Sequence, residues 1–194
     1  MKMKALKVLL PVALVLALGA CAKPPQADID AARAAVAAAA KNADVVAYAP
    51  DALKAAQDKL AQMETELAAK HYDKVKTLAG DATKAAQLAV SSAPVGKQKA
   101  QADATALVAA LQKALPDASA KIAAARRVPG VKLDFAALNQ QLTAAKAALA
   151  DADNDITAGN YASALQKATA IQTQMDDGAK MVSDAVAAAT NKKK

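Results

Sequence analysis

Residues 47–89, AYAPDALKAAQDKLAQMETELAAKHYDKVKTLAGDATKAAQLA, decide the fold because their apolar residues recur in steps of three and four. This spacing places apolar side chains in one stripe along a helix and favours nearly antiparallel packing at about 20°. The stripes are Leu53, Ala56, Leu60, Met63 and Leu67, then Tyr72, Val75, Ala79, Ala82, Ala86 and Ala89. Because His71 separates the two stripes, the sequence predicts a helical hairpin.

Alanine, the best helix former, dominates the rest of the chain. The 194 residues include one Phe, three Tyr and no Trp. Strands draw on β-branched and aromatic residues, so this composition argues against an all-β or α/β domain. Alanine in the stripes also lets helix axes approach closely while burying little area. The predicted fold is all-α, an elongated antiparallel helical bundle with a tight but shallow core.

Proline, glycine and a few polar residues divide the chain into predicted helices. The predicted helices are Asp28–Ala47, Pro50–Lys70, His71–Ser91, Lys97–Leu115, Pro116–Arg127, Asp134–Ala158 and Tyr161–Ala189. Pro94 with Gly96 is expected to end one helix, and Pro116 to begin another, because proline suits the first helical position.

The chain also resembles itself at an offset of 89 residues. The matches are Leu53, Ala56, Leu60, Leu67 and Tyr72 with Leu142, Ala145, Leu149, Ile156 and Tyr161, and Asp28, Ala31, Ala34 and Ala35 with Asp117, Ala120, Ala123 and Ala124. The bulky residues carry this comparison because alanine identities are weak in such a chain. It predicts two related, coiled-coil-like three-helix units, and the alternative is convergence of alanine-rich helices.

The inventory of reactive residues argues against several classes of site. One His and one Cys cannot form a closed zinc site, which needs four N or S ligands. They also cannot form an intrachain disulfide, and they leave little scope for a catalytic triad. The six glycines form no phosphate-binding motif. No enzymatic activity, cofactor or metal is therefore expected.

Residues 1–20 are predicted to be a cleaved signal peptide. Three lysines precede an apolar run at 8–20, which is shorter than the roughly 20 residues that span a bilayer. The run ends in LGAC, residues 18–21, which resembles the bacterial lipobox. The resemblance implies cleavage between Ala20 and Cys21, and attachment of membrane lipid to Cys21. In Gram-negative bacteria, Ala22 rather than Asp then implies sorting to the outer membrane; the alternatives are an uncleaved anchor and an ordinary signal peptide.

Removal of the signal peptide changes the charge of the chain. The full sequence has a net charge of +7, which falls to +4 without Lys2, Lys4 and Lys7. The tail 192–194 supplies three of the remaining charges. No basic and aromatic interleaving suggests base stacking, so no nucleic-acid partner is expected. The tail is interpreted as solvated, the alternative being a contact with anionic lipid or a cell-wall polymer.

A few residues near the hairpin corners have both a chemical and a structural interpretation. His71 could transfer protons or bind a metal, but its counterpart at the offset of 89 residues is Asn160, which favours an exposed turn residue. Tyr72 and Tyr161 could line a ligand site, but each is expected to pack its ring in a corner and expose its hydroxyl. Tyr48 is expected to pack at a helix junction in the same way.

Acidic and basic clusters are interpreted as surface features. Asp151, Asp153 and Asp155 alternate like calcium ligands, but a calcium loop needs Gly and Glu where Ile156 and Ala162 stand. These three carboxylates are therefore expected to be solvated on a helix. The remaining clusters, Glu64 with Glu66, Asp176 with Asp177 and Arg126 with Arg127, are assigned no catalytic role, and the arginines fit a helix C-terminus.

The stretch from Ala31 to Ala93 resembles the alanine-rich DUF4398 family of bacterial envelope lipoproteins. The resemblance rests on an alanine-rich helix, a YAP junction at residues 48–50, leucine and alanine heptads, and a Tyr that begins the returning helix. It departs from the family at Val75 and Lys76, where smaller residues are typical. The family has no established activity, so the resemblance implies location and fold and leaves the function open.

The sequence therefore predicts a lipid-anchored periplasmic protein with a structural or interaction role in the bacterial envelope. Its partner would be an envelope protein or the cell wall, and its oligomeric state is left open. The alternative is a lipoprotein that binds a small or apolar ligand between helices. The predicted segments are a signal peptide (1–20), a lipidated tether (21–25), a first unit (26–93), a linker helix (94–114), a second unit (115–190) and a basic tail (191–194).

Overall fold

A computed structural model of the protein describes residues 23–191, and this part of the chain is an all-α helical bundle, as predicted. Its helices are α1 (Gln26–Lys41), α2 (Ala43–Tyr48), α3 (Pro50–Ala68), α4 (Tyr72–Arg126), α5 (Phe135–Thr157) and α6 (Tyr161–Asn191). The chain divides into two compact units, Met1–Ser92 and Ala93–Lys194, so the predicted linker 94–114 falls in the second. The division into two related three-helix units stays a prediction.

In the first unit, α1 packs against α2 and α3. Most of the predicted stripe in α3 and α4 is buried, whereas Leu60, Leu67 and Tyr72 of that stripe are half-buried, and α1 shows the same steps of three and four. The buried residues of these stripes are Ile29, Ala32, Val36 and Ala39 in α1, Leu53, Ala56 and Met63 in α3, and Val75, Ala79, Ala82, Ala86 and Ala89 in α4. On the surface, Arg33 of α1 donates two hydrogen bonds of 2.8 Å to the carboxylate of Glu64 in α3. The unit thus combines an alanine-rich core with one bidentate bridge between helices.

The predicted first helix is interrupted at Asn42, and the prediction of one helix through Ala47 is wrong. Asn42 has an extended backbone, and its Oδ1 accepts hydrogen bonds from the backbone N–H of Asp44 at 3.0 Å and of Val45 at 3.3 Å. An asparagine side chain that satisfies the first N–H groups of a helix favours a new start at that position. At Asn42, these capping hydrogen bonds outweigh the helical propensity of the surrounding alanines.

In the second unit, residues of α4, α5 and α6 form one core cluster. The buried members are Val108, Leu111 and Leu115 of α4, Ala145, Leu149 and Ala152 of α5, and Ala168 and Ile171 of α6. A second cluster contains Ile122, Ala125, Leu138 and Val182. Leucine and isoleucine therefore contribute more to this core than to that of the first unit.

The predicted breaks at Pro94 and Pro116 are also wrong, because α4 continues through both prolines. A proline in a helix removes one backbone hydrogen bond and crowds the carbonyl four residues earlier, at a cost of about 3 kcal/mol. Both prolines are exposed, as are Val90 and Gln112, four residues before them, so water can reach the carbonyls that lose their partners. The residues that precede the prolines, Ala93 and Leu115, are buried, and their packing keeps the helix continuous.

Candidate functional site

The predicted lipidation residue Cys21 and the cleavage position after Ala20 lie outside the described residues. Both assignments, together with the signal peptide 1–20 and the tail 192–194, stay predictions. The described chain enters its first helix at Gln26, directly after Pro24 and Pro25. None of the helices within residues 23–191 contains an apolar stretch long enough to cross a bilayer.

The two hairpin corners have the same backbone geometry. At each corner the last helical turn is followed by a residue with positive φ, Lys70 at 60° and Gly159 at 79°. The N–H of the next residue returns to a carbonyl five positions earlier, from His71 to Glu66 at 3.0 Å and from Asn160 to Asp155 at 2.8 Å. This is the Schellman arrangement, which satisfies carbonyls at the end of a helix.

At the first corner, the carboxylate of Glu66 near the end of α3 interacts with the side chains of two residues of the turn and of α4. Nδ1 of His71 donates to Oε2 of Glu66 at 2.6 Å, and Nζ of Lys74 lies 3.4 Å from the other oxygen. The hydrogen bond from His71 is the main reason that the pKa of the Glu66 carboxyl lies below its usual range, and Lys74 adds to this effect. His71 is exposed in the turn, as expected, but it has a defined partner that sequence reasoning missed.

The second corner has a carboxylate at the equivalent position, Asp155 of α5. Its Oδ2 accepts a hydrogen bond of 2.6 Å from Ser163 and pairs with Nζ of Lys167 at 2.7 Å. The bond from Lys167, followed by that from Ser163, lowers the pKa of the Asp155 carboxyl. The expectation that Asp155 is simply solvated is therefore wrong. The signal in the sequence was the 89-residue offset, which relates Asp155 to Glu66.

The tyrosines at the corners are the first residues of their helices, Tyr72 in α4 and Tyr161 in α6. Both are half-buried, as is Tyr48 at the end of α2. This degree of burial fits a ring that packs and a hydroxyl that reaches the surface. The tyrosines therefore mark equivalent positions in the two corners.

The remaining charged candidates are separate surface groups. Asp151 and Asp153 are exposed on α5, and Asp176 and Asp177 are exposed on α6. Within residues 23–191, no group of three or more His, Cys, Asp or Glu side chains is placed to bind a metal. These residues contribute negative charge to the surface.

Arg126, at the end of α4, places its guanidinium carbon 6.0 Å from the centre of the Phe135 ring. An aromatic face at this distance attracts a cation. The interaction joins the last residue of α4 to the first residue of α5. It therefore holds Arg126 at the start of the loop between these two helices.

The second unit has an apolar pocket and an open groove. The pocket lies among Ile122, Leu142 and Met175 and encloses about 40 Å³, far below the roughly 300 Å³ of a typical ligand site. The groove has a volume of about 540 Å³ and is open to solvent along α4 and α6. Most of its lining is apolar, including Val128 and Val186. Of these two spaces in the second unit, the larger one lies at the surface.

No curated protein and no solved structure matches this chain. A family model confirms the resemblance of residues 31–93 to the DUF4398 domain, and it extends from α1 to the middle of α4; the lipoprotein character stays a prediction. Residues 27–107 match the model described as Domain of unknown function (DUF4398), and this part of the chain is a member of that domain family.

Proposed function

We propose that the protein is a lipid-anchored, non-enzymatic component of the bacterial cell envelope with a structural or protein-interaction role. The observation that carries the proposal is the short distance in sequence between the lipobox cysteine, Cys21, and the start of the helical bundle at Gln26. Five residues span at most about 18 Å. Lipid on Cys21 would therefore hold the first unit next to the membrane surface, facing the periplasm.

Stable attachment requires more than one acyl chain, since a single chain gives only marginal membrane binding. The lipobox resemblance provides for this requirement, because lipid is added to both the sulfur and the amine of the cysteine in that family. The identity of Ala22 further supports sorting to the outer membrane.

An interaction role is supported by the way the helices divide buried and exposed residues. Small side chains such as Ala32, Ala56 and Ala82 are fully buried in the seams. By contrast, Leu88 is 61% exposed and Val95 is 67% exposed on α4. An exposed apolar side chain on a well-packed helix is available to a partner, which we propose to be an envelope protein or the cell wall.

Fractionation of the envelope tests the anchor. The Cys21→Ser variant should lose incorporation of labelled fatty acid, because the lipidated sulfur is removed. The matched variant Ala22→Asp should keep the fatty acid and move from the outer to the inner membrane. Fatty-acid incorporation by Cys21→Ser at the level of the unaltered protein would contradict the proposal.

Site-specific photocrosslinking in intact cells tests the interaction role. A photoreactive amino acid at Leu88 should yield a discrete crosslinked product, whereas one at Lys84, which is also exposed on α4, should yield less. Mass spectrometry of the product would identify the partner. Equal, diffuse labelling from both positions would count against a specific contact at Leu88.

A further inference from the structure

We propose that the loop end of the second unit is a docking surface for an anionic lipid bilayer. This surface, called the basic groove below, consists of the open apolar groove between α4 and α6 and the basic residues beside it. Its defining residues are Lys121, Val128, Val182 and Val186 in the groove, and Arg127 and Lys132 in the adjoining loop.

The groove itself is suited to apolar groups. It is open to solvent, has a volume of about 540 Å³ and runs between the last turns of α4 and the second half of α6. Ala124, Val128, Val186 and Ala187 contribute methyl groups to its walls, and Lys121 also lines it. Acyl chains near the headgroups of a bilayer present the apolar surface that such walls can cover.

The charges around the groove are predominantly positive. Arg126, Arg127 and Lys132 lie at the end of α4 and in the following loop, and all three are exposed. Of the nearby acids, Asp184 pairs with Lys180 at 2.7 Å, while Asp134 accepts a hydrogen bond of 2.9 Å from the N–H of Ala137 and keeps its negative charge. The three basic residues outnumber Asp134, so this end presents a net positive charge to an anionic partner.

The same end of the unit receives the C-terminal part of α6. A Cβ atom on Gly130, in the loop after α4, would lie 3.9 Å from Cβ of Ala189. The end of α6 therefore lies against the loop that carries Arg127 and Lys132.

An anionic bilayer fits this combination better than a second copy of the chain. Each Lys or Arg near an anionic membrane surface strengthens binding by about fivefold, and apolar side chains add to the affinity. A second copy would present its own basic groove, so like charges would oppose the contact. This inference concerns the second unit and does not rest on lipidation of Cys21.

A fluorescent label in the groove tests the docking. The full chain would carry Cys21→Ser and a single new cysteine, Ala187→Cys, bearing an environment-sensitive fluorophore. An apolar segment such as 8–20 can itself enter a bilayer, so the readout is the emission of the label rather than attachment. We expect a blue shift in vesicles of phosphatidylcholine with 30% phosphatidylglycerol, and little change in pure phosphatidylcholine. A label at Ala150→Cys, on the exposed surface of α5, should respond in neither.

Charge variants provide the matched control. Arg127→Gln with Lys132→Gln should weaken docking by about 25-fold, whereas Lys113→Gln with Lys146→Gln removes the same charge elsewhere in the unit and should change it less than twofold. Equal blue shifts in neutral and anionic vesicles, or equal effects of the two double variants, would overturn the proposal. A blue shift that depends on protein concentration without vesicles would assign the groove to a second copy and would also overturn it.

Discussion

The first and second hairpin corners adopt the same bend with different residues. Both helices end with backbone bonds of the Schellman type, yet the left-handed position is a lysine in the first corner and a glycine in the second. Lysine in this conformation costs about 1–2 kcal/mol that glycine avoids. The comparison teaches that the same bonds to the carbonyls at the helix end form around either residue, and that glycine at the bend lowers their cost.

The two corners also have the same arrangement of a carboxylate and its partners, built from different residues. A carboxylate near the end of the helix, Glu66 or Asp155, is retained, while its partners change from His71 and Lys74 to Ser163 and Lys167. A negative charge near a helix C-terminus is unfavourable, so a compensating donor is needed in both cases. The turns are thus equivalent in geometry, and they differ in chemistry.

The largest expected effect comes from the seams next to the corners. Met63 is fully buried in α3, and Ala152, 89 residues later, is fully buried in α5. If the two hairpins pack differently, Met63→Ala should lower the free energy of unfolding by about 2–5 kcal/mol. Alanine is the native residue at the equivalent position, 152, so this loss would show that the two positions are packed differently. Urea unfolding followed by circular dichroism measures this loss.

Met181 provides the matched control for that comparison, since it is 53% exposed on α6. Met181→Ala should change the free energy of unfolding by less than about 0.5 kcal/mol. The reciprocal change, Ala152→Met, should cost about 1–3 kcal/mol through overpacking. Tolerance of both Met63→Ala and Ala152→Met would mean that the two seams are interchangeable.

The bends themselves should respond in opposite directions. Gly159→Ala should reduce the free energy of unfolding by about 1 kcal/mol, because an added Cβ meets no atom within 4 Å and only the positive φ opposes it. Lys70→Gly should increase stability by up to about 1 kcal/mol. Gly80→Ala, inside α4 with equally open space, is the control and should stabilise by about 0.5–1 kcal/mol. A loss at Gly80 as large as that at Gly159 would refute the backbone explanation.

The smallest expected effect is the dependence of the corners on pH. The folded-state pKa values of Glu66 and Asp155 are lowered, so their contribution is complete above the usual carboxyl range of about 4 and is lost as the pH falls through the lowered values. Unfolding measured between pH 6 and pH 2 should therefore show a decline that is shallower in Asp155→Asn.

Lys167→Gln tests the cause of that decline at the second corner. It leaves the Asp155 carboxylate in place and removes the cation that contributes most to its lowered pKa. The pH dependence should flatten as it does in Asp155→Asn, and added salt should reduce the difference from the unaltered protein. A slope that stays unchanged in both variants would show that the corner does not contribute.

The helical seams could be predicted from the sequence because they depend on local periodicity. The steps from Val75 to Ala89 and the bend at Gly159 follow from the spacing of small apolar residues and from the position of one glycine. The domain family was also recognisable, since the quoted heptads lie within residues 27–107. Periodicity and turn residues are properties that a single sequence displays directly.

Other features depend on tertiary packing, which the periodicity of the sequence does not reveal. The prolines of α4 look like helix ends, yet the helix continues through them, and the residues beside them, Ala93 and Leu115, pack in the core. The pairing of Arg33 with Glu64 joins residues 31 positions apart and requires the packing of α1 on α3. The basic groove similarly depends on a contact between residues far apart in sequence, because Gly130 in the loop after α4 lies beside Ala189 in α6.

The alanine seams have a consequence for the response of the protein to temperature. The heat capacity of unfolding grows with the apolar area that becomes exposed, and a buried methyl group contributes much less area than a leucine or phenylalanine side chain. A core in which Ala39, Ala82, Ala89 and Ala164 occupy fully buried positions should therefore unfold with a small heat-capacity change for its length. The curve of stability against temperature should therefore be less strongly curved than that of a leucine-rich bundle of the same length, which makes cold denaturation harder to reach.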